Sequence, residues 1–211
     1  MVAGTSAGGR SVEFYALIGA ALAATIYSAI EPADTVTWVL EAAPVIIGMP
    51  LLLATRRRFP LTPLVMWLLF AHAIVLLVGA HYTYAQVPIG FWAAELFDLA
   101  RNPYDRFAHV IQGFVPAILA REILIRQSPL QPGKWLFFVV ACVALAFSAL
   151  YELIEFAAAL VGGEEADAFL GAQGDVWDSQ WDMLLALVGA LLAQAILGPI
   201  HDRTIEDIEA P

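Results

Sequence analysis

A chain of 211 residues that is 61% hydrophobic and only 14% charged, with mean hydropathy +0.76, carries more apolar surface than a soluble core of its size can bury. It reads as an integral membrane protein of one domain. The net charge of −10 excludes a nucleic-acid binder, because phosphate contacts need Lys and Arg, and it equally excludes a polybasic membrane-surface role.

A spanning helix needs about 20 mostly apolar residues. Six segments qualify: 13–30, 38–55, 62–84, 105–125, 134–161 and 181–200. The first run is too long for a secretory signal core and its basic flank is weak, so it reads as an uncleaved signal-anchor helix. Between the third and fourth spans, VPIGFWAAELFDLA is too short to cross; its Phe91, Trp92 and Phe97 suit an interfacial or re-entrant helix near 88–100. The fifth span contains the single cysteine, Cys142, which reads as a small packing residue. Gly189 and Ala193 on the sixth are spaced for close helix packing.

The basic residues set the orientation. Arg10, Arg56, Arg57, Arg58, Arg121, Arg126, Lys134 and Arg203 fall on one side of six spans, and Arg101 and Arg106 on the other. The richer side marks the cytoplasm. The expected fold is all-α and polytopic, with six transmembrane helices and both termini cytoplasmic. Residues 1–12 form an N-terminal tail, 13–200 a single six-helix transmembrane domain, and 201–211 a short polar C-terminal tail that frays. The segment GEEADAFLGAQGD, 163–175, lies outside.

This topology gives every polar residue a depth. Asp105, His109 and Gln112 follow at i, i+4 and i+7, sharing one face of the fourth span. Ser148, Glu152 and Glu155 share a face near the outer end of the fifth, and Asp178 and Asp182 begin the sixth. The third span ends outside with His81, Tyr82 and Tyr84, and the second starts near Glu41. An ionisable group at mid-helix costs about 2.5–3.5 kcal/mol on insertion scales, so such groups face the bundle interior and pair there. A shared outer polar cavity follows. His109 beside Asp105 resembles a base with its orienting carboxylate, with Glu152 and Glu155 as further catalytic candidates. Asp178, Asp182 and Glu155 are candidate ligands for a divalent metal ion, for which Mg, Mn, Ca and Zn all fit. Arg106, Gln112, His81, Tyr82 and Asp175 are candidate substrate contacts, Arg106 for an anion.

Plainer roles stand beside these. Asp105, Asp178 and Asp182 can cap helix N-termini, and Asp105, Arg106 and Glu152 can form a structural ion-pair network. His72, alone at mid-span, reads as a hydrogen-bonded packing residue. Trp92, Trp177, Trp181 and Tyr82 suit an interfacial aromatic belt. No HExxH, GxSxG or phosphate-loop motif is present.

RNPYDRFAHVIQGFVPAILAREILIR, ALYELIEF and FLGAQGDVWDSQWDMLLALVGA, with HYTYAQVP before them, resemble the YjdF-type bacterial inner-membrane proteins over residues 38–197. That resemblance implies a multi-pass inner-membrane protein and no particular activity. Asp105-Arg106 with His109, then Glu152 or Glu155, then Asp182 and Gly189 are also similar to the VanZ-like membrane proteins, linked to glycopeptide resistance. Ala186 stands where that pattern has Asn. The leading expectation is an outward-facing site for a lipid-linked or headgroup-like ligand, metal-assisted and enzymatic in its sharpest form. A small proton-coupled transporter and a non-catalytic envelope or assembly protein are the alternatives.

Overall fold

A computed structural model describes residues 7–162 and 173–209. Residues 163–172, most of the expected outer acidic segment, lie outside the described ones. The described chain forms α1 (Ala7–Ser28), α2 (Thr35–Thr55), α3 (Pro63–Tyr82), a 3-10 turn (Tyr84–Gln86), α4 (Pro88–Phe97), α5 (Tyr104–Gln127), α6 (Lys134–Gly162) and α7 (Asp178–Glu209). Six of the seven α-helices, all but α4, are long and apolar enough to cross a membrane. Among the described residues there is no strand.

Local chemistry sets the boundaries. Asp34 caps α2, its carboxylate accepting the Thr37 amide at 2.7 Å. Thr62 caps α3 with Pro63 in the first turn, and Pro88 opens α4. Thr83, at φ 62, ends α3 and turns the Tyr84 ring back over Gly79, where a Cβ would collide with it. Asp98 ends α4 in the left-handed region. Ile89, Phe91, Trp92, Leu96 and Phe97 remain exposed on α4, as an interfacial helix requires.

The bundle is organised by α5 and α7. A Cβ on Gly113 would overlap the carbonyl of Ala186, and one on Gly189 would overlap that of Val110. The two backbones therefore touch, with Ala117, Ala186, Ala190 and Ala193 sealed between them and their neighbours. Leu136, Val140 and Ala144 of α6 close one side of this seam. On the other side α2, α3, Tyr84 and Tyr104 build a second core around Leu76, Leu77 and Ala80. Pro44 inside α2 has no N–H to donate, which frees the Leu40 carbonyl; the Tyr151 hydroxyl of α6 takes it at 3.4 Å.

Two expectations change. Cys142 is exposed on α6, so it packs against no core. The segment from His201 onward is not a frayed tail: α7 continues to Glu209, with His201 and Ile205 buried. Buried partners for His201 and Asp202 hold this last stretch helical.

Candidate functional site

The loop before α5 is locked from several sides. Gln173 and Asn102 exchange two hydrogen bonds, Asn102 N to Gln173 Oε1 at 3.1 Å and Gln173 Nε2 to Asn102 O at 3.0 Å. The Asn102 side chain donates to Val87 O at 3.0 Å and accepts the Tyr104 amide at 3.0 Å. It occupies the space a Cβ on Gly90 would need. This ties the start of α5 to α4 and to the entry of α7.

Helical spacing then does the rest. Asp105 and His109 lie one turn apart on α5 and face Asp182 on α7. His109 Nε2 is 3.6 Å from Asp105 Oδ1 and 3.8 Å from Asp182 Oδ2. One ligand atom from each of the three lies within 4.8 Å of the others, and all three residues are buried. The opposite ring nitrogen, His109 Nδ1, has no hydrogen-bond partner, and neither does Asp182 Oδ1. Ser148 Oγ on α6 is likewise buried without a partner, and Glu152 nearby has Ser179 beside its carboxylate.

Around this core the charges divide. Arg101 bridges Asp178 at 2.7 Å, Asp105 at 3.5 Å and Asp175 at 3.6 Å. Arg106 pairs with Asp175 at 2.7 Å and sits 5.5 Å from the centre of the Trp181 ring. Asp175 also accepts the Trp177 amide at 2.9 Å, shaping the entry to α7. Glu155 feels the charges of Glu152, Glu41, Asp105 and Asp182. Glu41 lies beside the Tyr84 hydroxyl. Burial, with Glu41 among the neighbouring charges, pushes the Tyr84 phenol well above its ordinary range, so it stays a hydrogen-bond donor.

The structure thus brings Asp105, His109, Glu152, Glu155, Asp178 and Asp182 to one end of the bundle, with Arg106 and Asp175 at its rim. Among the proposed metal ligands, Asp182 joins Asp105 and His109, whereas Asp178 faces Arg101. Asp105 does not cap α5; Pro103 holds that position. His81 and Tyr82 are turned away: His81 Nδ1 lies 3.0 Å from Ser28 O on α1, and its ring meets those of Tyr27 and Tyr82. Gln112 lies one turn below His109, on the wall of an apolar cavity. His72 is buried, but its Nε2 has no partner, unlike the packing residue expected. Arg101, Asn102 and Gln173 were not among the sequence candidates, and Tyr84 was placed at this depth without a role. The sequence RNPYD offered one signal, placing Arg101 one turn before Asp105.

A second polar network lies at the opposite end. Glu122, fully buried, accepts the Thr62 amide at 2.9 Å and the Thr62 hydroxyl at 2.6 Å. Arg126 reaches it at 2.7 Å and His201 Nε2 at 3.1 Å. Arg121 meets His201 Nδ1 at 3.2 Å and Asp202 at 2.7 Å. Arginine can only donate, so the His201 proton is assigned to Nε2, facing Glu122. Glu122 and both His201 nitrogens find partners within 3.2 Å, the mark of a structural clamp joining α3, α5 and α7.

Six apolar helices around buried polar groups define a polytopic membrane protein. The family described as "Predicted membrane protein (DUF2238)" matches residues 14–203, and the chain belongs to it. The "Inner membrane protein YjdF" of Escherichia coli strain K12 is 54% identical over 180 residues, covering 85% of this chain and 86% of that protein. No solved structure matches.

Proposed function

We propose that this is a bacterial inner-membrane protein with both termini cytoplasmic, whose Asp105–His109–Asp182 cluster opens outward and binds a divalent cation. The cation would hold the anionic head of a lipid-linked or envelope-associated substrate. One observation carries the reading: a histidine and two carboxyl groups converge while Asp182 Oδ1 stays buried without a hydrogen-bond partner. Spacings of 3.6 and 3.8 Å exceed good hydrogen bonds. They approach the roughly 3–3.6 Å expected between ligands each about 2.1 Å from one ion. A cation would also offset the crowding of carboxyl groups. One imidazole with two carboxylates suits Zn or Mn better than the all-oxygen shells of Mg or Ca.

Arg101 and Arg106 lie beside the cluster, where they would engage an anionic head group. In the enzymatic form of the proposal, Asp105, His109 and Asp182 would hold a cation that supplies Lewis-acid polarisation of a substrate oxygen, and Glu152 would accept the proton of an attacking water. A transporter is less well supported. Gly113, Ala117, Ala190 and Ala193 fill the seam between the two polar networks and offer a proton no relay. The test is metal analysis of protein purified without added chelator. A stoichiometric cation, lost in Asp182→Asn at unchanged yield, is the expected result; metal-free protein with chelator-insensitive stability would overturn it.

A further inference from the structure

Directly beneath the cluster, α1, α2, α3, α5 and α6 line a half-open apolar cavity of about 500 Å³, within the size range of small-ligand sites. Its wall is mostly apolar, with Val45, Gly48, Leu69, Ala73 and Phe147 among the lining residues. Along α5 it runs from Gln112 to Ile123, roughly 17 Å at 1.5 Å per residue. It begins where the cluster ends. Gln112 is one turn below His109, and Tyr151, also on the wall, precedes Glu152 and lies in the field of Glu41 and Glu155.

One feature departs from a plain hydrocarbon slot. His72 lines the cavity, is 9% exposed, and leaves Nε2 without a hydrogen-bond partner. A buried polar atom is costly unless something bonds it, and a cavity with so few polar groups holds water poorly. The depth of His72 is also fixed. The Tyr104 hydroxyl, next to Asp105 in sequence, donates to the Val75 carbonyl at 2.9 Å. His72 lies about one turn below Val75 on α3. The imidazole therefore sits about one side chain and one helical turn beneath the charged cluster. The ester oxygens of a glycerolipid likewise lie on the apolar side of its phosphate.

We infer that the cavity holds an ester-linked acyl chain of a glycerophospholipid whose head lies at the Asp105–His109–Asp182 cluster, with His72 Nε2 donating to the ester carbonyl. This rests on the head-group reading above and narrows its substrate class. A polyisoprenyl chain would fill the apolar wall but leave His72 without an acceptor.

The test uses the full chain in vesicles of phosphatidylethanolamine and phosphatidylglycerol. These are doped with a phosphatidylglycerol probe carrying a diazirine midway along one acyl chain. After irradiation, crosslinks should concentrate on cavity residues of α2, α3 and α5. Gly48→Phe should reduce them several-fold. A Cβ at Gly48 meets nothing within 4 Å, so the new ring enters open space and the fold is preserved. Ala73→Leu fills the same cavity from α3 and should act alike. His72→Leu should weaken labelling by the ester-linked probe and leave an ether-linked one unchanged.

Labelling spread over the exposed faces of Trp67, Phe138 and Leu153, and unmoved by either filling variant, would overturn the inference. So would preferential labelling by a polyisoprenyl phosphate probe. Metal content measured on the same samples separates the two claims. Bound metal without cavity labelling sinks the acyl-chain inference alone, whereas cavity labelling without metal sinks the cation reading alone.

Discussion

His109 on α5 faces Asp182 on α7 with Nε2 3.8 Å from Oδ2, and the approach exists because Gly113 and Gly189 let the two helix backbones touch. The geometry of the site therefore depends on side chains that are absent. Gly113→Ala should cost about 1–3 kcal/mol through overpacking against the Ala186 carbonyl. Thermal unfolding in detergent would measure it. A neutral result would mean that the helices are not in backbone contact.

The two arginines beside the site should behave differently. Arg101 is largely buried among Asp105, Asp175 and Asp178. Arg101→Gln leaves those carboxyl groups without their shared cation and should cost about 3 kcal/mol. Arg106 is one-third exposed and pairs with Asp175 at the rim, so Arg106→Gln should cost less than about 1 kcal/mol. Equal losses of stability would contradict the assignment of Arg101 as the central counter-charge.

At the other end, Glu122 is the hub that joins Thr62, Arg126 and His201. Glu122→Ala strands the fully buried His201 and removes the carboxylate that caps Thr62, and should destabilise by about 3 kcal/mol without touching the Asp105–His109–Asp182 cluster. Proteolysis should then cut the segment after His201, which is helical only while that end stays docked. Wild-type resistance in this variant would show that the segment holds itself.

The cap of α2 gives a pH signature. The Thr37 amide, donating to Asp34, holds that carboxyl below its ordinary 3.8. The stabilisation is complete above that value and disappears as pH falls through the lower folded one. Amide exchange at Thr37, corrected for its intrinsic pH dependence, should accelerate there in the wild type. Asp34→Asn keeps a neutral cap and should show no such step. A step that persists in the Asn variant would assign it to another group.

The spans were legible because hydropathy and length act locally, and the resemblance to the YjdF-type proteins held across most of the chain. The convergence of Asp105, His109 and Asp182 was legible too. Asp105 and His109 share a helix face by spacing alone, and Asp182 sits at a matching depth on the last span. What escaped depends on how faces rotate and how distant segments dock. His81 and Tyr82 end the right helix at the right depth. Thr83, at φ 62, sends only Tyr84 back towards α5 and leaves His81 against α1. Gln112 shares the Asp105 face but lies seven residues further down, about 10 Å into the membrane. Glu122 lay inside the fourth span and drew no assignment, and His201 read as tail. Their 79-residue separation carries no periodic signal.

The central claim is that Asp105, His109 and Asp182 form one cation site. Calorimetric titration of Zn or Mn into chelator-stripped protein tests it most directly. The expected result is a single site per chain, weakening as pH falls because the ligands must be deprotonated, and abolished in both His109→Ala and Asp182→Asn. No binding, or binding that survives both substitutions, would contradict it.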